Sequence, residues 1–251
     1  MTITKDSYVA STADVRRYQF RSLAIVLLLF GAYGTITAKL MPDWILVVIV
    51  LLLLPRWMIY THELFHLRNA KQIDFITRLM PLPFTPFALG YDEFRQIHFR
   101  HHRHPATPTD PDAYHILGGP WRGALGALTV PEQSFFRWTR LTHGILKHSP
   151  NFWWRAGIFG TCLLVGGWSF FWFWIPLRLV YALGDFSFFY LLHVRGGQPG
   201  SYSLKLPRVF QVLAELLYGR TLVRATMFHN RHHLHPGIQA RALPLWEPTH
   251  P

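Results

Sequence analysis

The sequence predicts an all-α integral membrane protein, with four transmembrane helices in two hairpins and a cytoplasmic helical cap. Three observations predict it. Half of the 251 residues are hydrophobic and 16% are aromatic, while charged residues reach only 15%, a balance rich for a soluble domain and ordinary for a polytopic membrane protein. Four apolar stretches stand out, arranged as two pairs around a long mixed segment. The basic residues behind the net charge of +12 flank these stretches, as in a protein whose cytoplasmic face touches anionic lipid. That distribution argues against nucleic acid as the partner of the positive charge. The chain reads as one domain over residues 1–251.

The first span is expected at about 23–38. It follows a polar stretch with Lys5, Arg16, Arg17 and Arg21 and has no clean small-residue cleavage site, so it reads as a retained span rather than a signal peptide. The second is expected at about 44–60, after a brief turn from Lys39 to Asp43. The third and fourth are expected at about 156–175 and 177–194, with Pro176 as the break and Trp172 and Trp174 suited to an interface. A spanning helix needs about 20 residues, so the first two spans imply bilayer thinning or recruitment of flanking residues. With a cytoplasmic N-terminus, only Lys39 and Arg178 fall on the opposite side and Arg56 lies within the second run. This bias places both termini in the cytoplasm. Arg56, beside Pro55, is expected to snorkel or to face the protein interior. Residues 67–155 and the stretch from 196 onward read as interfacial helices and loops of the cap. The single cysteine, Cys162, lies in an apolar run and reads as packing; an intrachain disulfide is impossible.

Fifteen histidines are the outlier of the composition, and most are clustered. His62-Glu63-Leu64-Phe65-His66 stands at the cytoplasmic end of the second span. His98-Phe99-Arg100-His101-His102 and His229-Asn230-Arg231-His232-His233 repeat one spacing, and His193 closes the fourth span. On a helix, residues three and four apart share a face, so each cluster can aim several imidazoles at one region. Each hairpin returns the chain to the same side, so all nine histidines can meet at one cytoplasmic depth. Imidazole suits iron, copper, nickel and zinc. A single structural zinc takes four ligands; eight or nine histidines suit two ions of high coordination number. Two irons can share the electrons needed to cleave O2 and attack an unactivated C–H bond, and the near-absence of thiols argues against iron–sulfur clusters.

Blander readings exist for every residue singled out. His62-Glu63-Leu64-Phe65-His66 also matches the HExxH zinc-protease signature, with Glu63 as general base, but that reading leaves the second and third clusters unexplained. A membrane protein that binds metal or a partner without catalysis is a further alternative. Asp110 or Asp112 could accept the far N–H of a ligand imidazole and fix its tautomer, or simply form a turn. His104 and His235 each follow a cluster by two positions and read as outer-layer or surface residues. Asn230 could assist a metal-bound water or be a surface amide. Asp185, an acid within the fourth span, is a functional candidate by position, with Tyr181 as its structural partner otherwise. His143, His148 and His250 read as ordinary surface residues, and His115 is left out of the site.

At these residues the chain resembles the membrane fatty-acid desaturase superfamily, whose pattern is HxxxH, HxxHH and HxxHH in order with a transmembrane pair between the second and third. The resemblance covers roughly His62 to Pro244. It implies four spans, two irons, O2 as co-substrate and an external electron donor. By position it implies metal ligands at His62, His66, His98, His101, His102, His229, His232 and His233, and His193 stands where the family often carries a further ligand. Features of bacterial carotenoid ketolases are also present: His101-His102-Arg103-His104, Asp110-Pro111-Asp112, Gly118-Gly119-Pro120, and His232-His233-Leu234-His235-Pro236. Glu63, where ketolases usually carry Asp, is instead similar to membrane alkane hydroxylases, and Arg231 stands where ketolases tend to carry an acid.

The expected function is an O2-dependent di-iron oxidoreductase of the membrane, first of all a fatty-acyl desaturase. A carotenoid ketolase or hydroxylase comes next, then an alkane-type hydroxylase. Substrate is lipid or isoprenoid from the bilayer. No CxxC, haem or flavin signature is visible, so electrons are expected from a separate ferredoxin-, rubredoxin- or cytochrome-type partner.

Overall fold

A computed structural model describes residues 9–142 and 152–245; His143, His148 and His250 lie outside the described residues. The fold is all-α apart from one two-residue β ladder. Helix α1 (Thr12–Thr37) opens with a capping box: the Ser11 hydroxyl accepts the Asp14 N–H at 3.2 Å, and the Asp14 carboxylate accepts the Ser11 N–H at 3.1 Å. This pairing satisfies two of the N–H groups that a helix start leaves open. A tight turn, with Lys39 at φ 59°, leads into α2 (Asp43–Phe65). At about 1.5 Å per residue, both helices exceed the roughly 30 Å of a bilayer core. They are the two helices among the described residues long and apolar enough to cross a membrane by length and composition. Each starts or ends well beyond the expected 23–38 and 44–60, because capped polar turns extend the apolar cores.

Cap elements follow: α3 (Phe75–Leu79), α4 (Tyr91–Arg103), α5 (Ala113–Ile116), α6 (Pro120–Leu128) and α7 (Val130–Thr142). The second apolar pair is α8 (Phe152–Gly166) and α9 (Ser169–Asp185), the latter continuing as a π-helical turn over Phe186–Leu191. Here the structure corrects the sequence reading. The break is not Pro176, which lies inside α9, but Gly166-Gly167-Trp168, where Gly167 has φ +50°. A glycine adopts that conformation without strain and ends the helix, whereas Pro176 costs one backbone bond in a helix held by its neighbours. Gly166 is also a point of close approach: a Cβ there would fall 1.7 Å from the Tyr33 hydroxyl of α1. Arg178 consequently leaves the far side of the molecule. It sits within α9 and pairs with Glu132 of α7 at 2.9 Å.

Lys39 donates to Ser169 Oγ at 3.1 Å, so the α1–α2 turn and the start of α9 share one end of the bundle. Between them lies the core: Leu29, Ile36, Leu46, Val50, Leu54, Phe173 and Leu177 are fully buried or nearly so. Outward-facing Leu27, Leu28, Leu164, Val165, Leu179 and Leu183 are more than half exposed, the inverse of a soluble surface.

Strands β1 (Val194–Arg195) and β2 (Gln198–Pro199) pair antiparallel across Gly196-Gly197. Helices α10 (Arg208–Tyr218), α11 (Arg220–Met227) and α12 (His229–Leu234) follow, and a 3-10 turn over Ala240–Ala242 is the last regular element among the described residues. Arg56 is partly buried and turns toward the end of α10. Its guanidinium donates to the Leu216 and Leu217 carbonyls at 2.9 Å each, satisfying the open C-terminal end of α10.

Candidate metal centre

Four segments bring the histidines together. His62 lies on the last turn of α2 and His66 caps its end, and His98, His101 and His102 lie on the last turns of α4. The register between these helices is set by α2's final carbonyls. Tyr91 Oη donates to Leu64 O at 2.7 Å, and Arg95 donates to Phe65 O at 2.8 Å and Leu67 O at 2.7 Å. These bonds satisfy acceptors that a helix end leaves open and hold α4 across the end of α2. His193 emerges from the π turn, its Nδ1 bonded to Phe188 O at 3.0 Å. Directly behind it, the β hairpin returns Gly200 N to His193 O at 2.8 Å. His229, His232 and His233 come from α12.

The imidazoles form two groups. Ring nitrogens of His62, His66, His98, His102 and His232 all lie within 4.8 Å of one another, as do those of His101, His193 and His233. His229 joins the second group, its Nε2 3.4 Å from that of His193. The groups meet where the His102 and His233 rings approach to 4.3 Å between centroids. All nine candidate histidines are therefore in one constellation.

The donor set fits metal. The Nε2 atoms of His66 and His98 are 2.9 Å apart, those of His98 and His102 3.1 Å, and those of His193 and His233 3.1 Å. Ligands at right angles around an ion, each at about 2.0–2.1 Å, are separated by about 3 Å. Nitrogen–nitrogen pairs at this spacing can share at most one proton, so a group of five leaves lone pairs that other imidazoles do not satisfy. Nε2 of His232 is buried and has no hydrogen-bond partner among the described residues. Burial, with mutual repulsion between the rings, holds His66, His98, His102, His229, His232 and His233 well below the usual histidine range. Burial likewise lowers His101, to about 4. Neutral rings with free lone pairs are the form that binds metal.

The surrounding polar residues divide. Asp110 accepts from His101 Nδ1 at 2.8 Å and also from Ala106 N and Asp112 N at 2.8 Å each, so its carboxylate fixes the His101 ring. Asp112 lies 3.9 Å from the same His101 nitrogen. Glu63 is buried and accepts the Ala240 N–H at 3.0 Å. Asp185 is buried against His115, 2.7 Å away, rather than held by Tyr181. His104 is exposed at the end of α4, and His235 caps the end of α12; neither joins the two groups. Asn230 is exposed, its carbonyl oxygen accepting from Ser203 Oγ and Arg231 N.

His115 is the residue that sequence reasoning missed. Left out of the site on sequence, it is 1% exposed and lies between Asp112 and Asp185. The signal was an acid inside an apolar helix, which calls for a cationic partner, together with the i, i+3 spacing of Asp112 and His115.

Beside the histidines opens a cavity of about 710 Å³, its mouth included, walled by Trp57, Met58, Phe94, Tyr181, Phe188 and Phe189. That lining suits an apolar ligand. A family model described as Fatty acid desaturase matches residues 40–250. No curated protein and no solved structure shows a significant match.

Proposed function

This chain belongs to the fatty acid desaturase family, whose members are membrane-bound di-iron histidine-box oxidoreductases, and on that premise we propose that it desaturates a fatty-acyl chain drawn from the bilayer. The observation that carries the reading is the convergence of nine ring nitrogens from four segments into two adjoining groups at one end of an apolar cavity. His62, His66, His98, His102 and His232 would hold one iron, and His101, His193, His229 and His233 the other. The chemistry such a pair supplies is O2-dependent oxidation of an unactivated C–H bond. In the overall reaction a CH2–CH2 unit, O2, two electrons and two protons give a CH=CH unit and two waters.

The chain's own residues do the rest. Asp110 and the Phe188 carbonyl keep the Nδ1 atoms of His101 and His193 occupied, which turns their Nε2 lone pairs inward. The aromatic wall excludes water and holds the acyl chain against the histidines. Placement to within about an ångström decides whether hydrogen loss or oxygen transfer follows.

In this reading residues 1–251 are one domain. Helices α1, α2 and α8, and α9 with its π turn, are four spans, and both termini and the site face the cytoplasm. With Arg178 inside α9, Lys39 is the basic residue left at the far turns, which strengthens the charge bias. Electrons come from a separate ferredoxin-, rubredoxin- or cytochrome-type donor steered by the basic cap.

Expression in two hosts, one making carotenoids and one not, tests the reading. New acyl double bonds in both hosts, with two irons per purified chain, are the expected result. An altered pigment with unaltered acyl chains would replace the acyl substrate with a carotenoid.

A further inference from the structure

Three acidic and basic side chains outside the histidine groups form a buried line behind them. His115 Nδ1 is 2.7 Å from Asp185 Oδ2, and His115 Nε2 is 3.6 Å from Asp112 Oδ1. The other Asp112 oxygen faces His101 Nδ1 at 3.9 Å, and Asp112 N donates to Asp110. All three residues are at most 5% exposed. The His115 ring stacks on Phe189 at 4.7 Å between centroids, and Phe189 in turn meets the His101 ring edge-on at 5.0 Å. The ring also stacks on Tyr114 at 4.3 Å between centroids, and α6 backs the start of the side chain: a Cβ on Gly126 would lie 2.5 Å from His115 Cβ. The imidazole therefore has one place to be.

The two carboxylates belong to different parts of the centre. Asp112 borders the Asp110–His101 pair. Asp185 is the last residue of α9, where the helix passes into the π turn that delivers His193. We infer that His115 is a positioning residue of the metal centre, locking the second histidine cluster to the segment that carries His193 by bridging Asp112 and Asp185. The inference rests on the di-iron reading of the site. Burial alone would lower the His115 pKa, but the two carboxylates outweigh it and raise it to about 10. Without a cation between them, two buried carboxylates are left uncompensated and repel, and the elements bearing His101 and His193 are pushed apart.

The test is anaerobic titration of the metal-free protein in detergent with Fe2+, read as iron per chain and Kd. Wild type is expected to take two irons. His115→Gln, close in size but neutral, is expected to weaken iron binding roughly 10- to 100-fold, the usual cost of losing an outer partner. Adding Asp185→Asn to His115→Gln removes an uncompensated charge and is expected to restore part of that affinity. A residue that only fills space would instead be hurt further by the second change. Asp112→Asn keeps the volume of the site and decides the matter should His115→Gln not fold; a loss of about tenfold is expected from it. Iron binding as tight as wild type in Asp112→Asn and His115→Gln overturns the inference while leaving the metal reading intact, and so does a double variant weaker than His115→Gln. A wild-type chain that binds no iron overturns both.

Discussion

The carboxylate of Glu63 accepts the backbone N–H of Ala240 at 3.0 Å, joining the first histidine cluster to the segment that follows the third. The same segment is held by the start of α1. Tyr18 donates to Gln239, and Asp14 accepts from Gln239 and pairs with Arg241. Glu63 thus spends one oxygen on clasping the chain, which a general base of a zinc protease would direct at water. Glu63→Gln keeps an acceptor and is expected to leave iron content within about threefold of wild type. Glu63→Ala leaves the Ala240 N–H buried without its partner, at a cost of about 1–3 kcal/mol. Thermal unfolding in detergent should show the loss for alanine and little for glutamine. An equal loss in both variants would mean that the charge, not the clasp, matters.

Asp110 offers a second handle. Its carboxylate accepts three N–H groups, one of them His101 Nδ1. In Asp110→Asn the amide nitrogen cannot accept, so either the ring or a backbone N–H loses its partner. Iron affinity is expected to fall roughly 10- to 100-fold, with the loss visible as fewer irons per chain after dialysis. Unchanged stoichiometry and Kd would remove Asp110 from the support of the centre.

How much of this was legible in sequence follows from range. His98, His101 and His102 are three and four apart on one helix, so their shared face is a local property, and the same holds for His62 with His66 and for α12. Their meeting required only that two hairpins return to one side. Misplacing the second hairpin's turn at Pro176, instead of Gly166-Gly167, did not change that parity. His115 was legible only in part: its spacing to Asp112 is local, but Asp185, its nearer partner, lies seventy positions away, and the packing of α5 against the π turn brings them together. Glu63 was legible as a residue beside the first cluster, but its bond was not, because its partner Ala240 donates through the backbone and leaves no mark in sequence.

The raised His115 pKa makes a statement about pH. A histidine protonated more readily in the fold than in the unfolded chain adds stability that is complete below its ordinary value of 6.5. That stability is lost as pH rises through about 10. Other groups titrate in this window, so the difference between wild type and His115→Gln is the informative quantity. The melting temperature of metal-free wild type should fall more steeply than that of the variant between pH 7 and about 10. Parallel curves would show that His115 is neutral in the fold.

Gly184 tests whether the apolar cavity is where substrate lies. It lines the cavity opposite Met58, and a Cβ added there would meet Met58 Cε at 2.8 Å and Sδ at 3.1 Å. Both atoms belong to the far end of a flexible side chain, which can move aside. Gly184→Ala should therefore be nearly silent. A larger residue exceeds what Met58 can yield: Gly184→Phe places a ring in the space between Trp57, Tyr181 and Phe188. It touches none of the nine histidines through hydrogen bonds, so iron per chain should stay at the wild-type value while product falls at least tenfold. The discriminating measurement is product formed per iron, in wild type and both variants, with acyl chains of several lengths. Loss confined to the longer chains would place the blocked region at the distal end of the site. Equal turnover in Gly184→Phe and wild type would show that substrate reaches the histidines by another route.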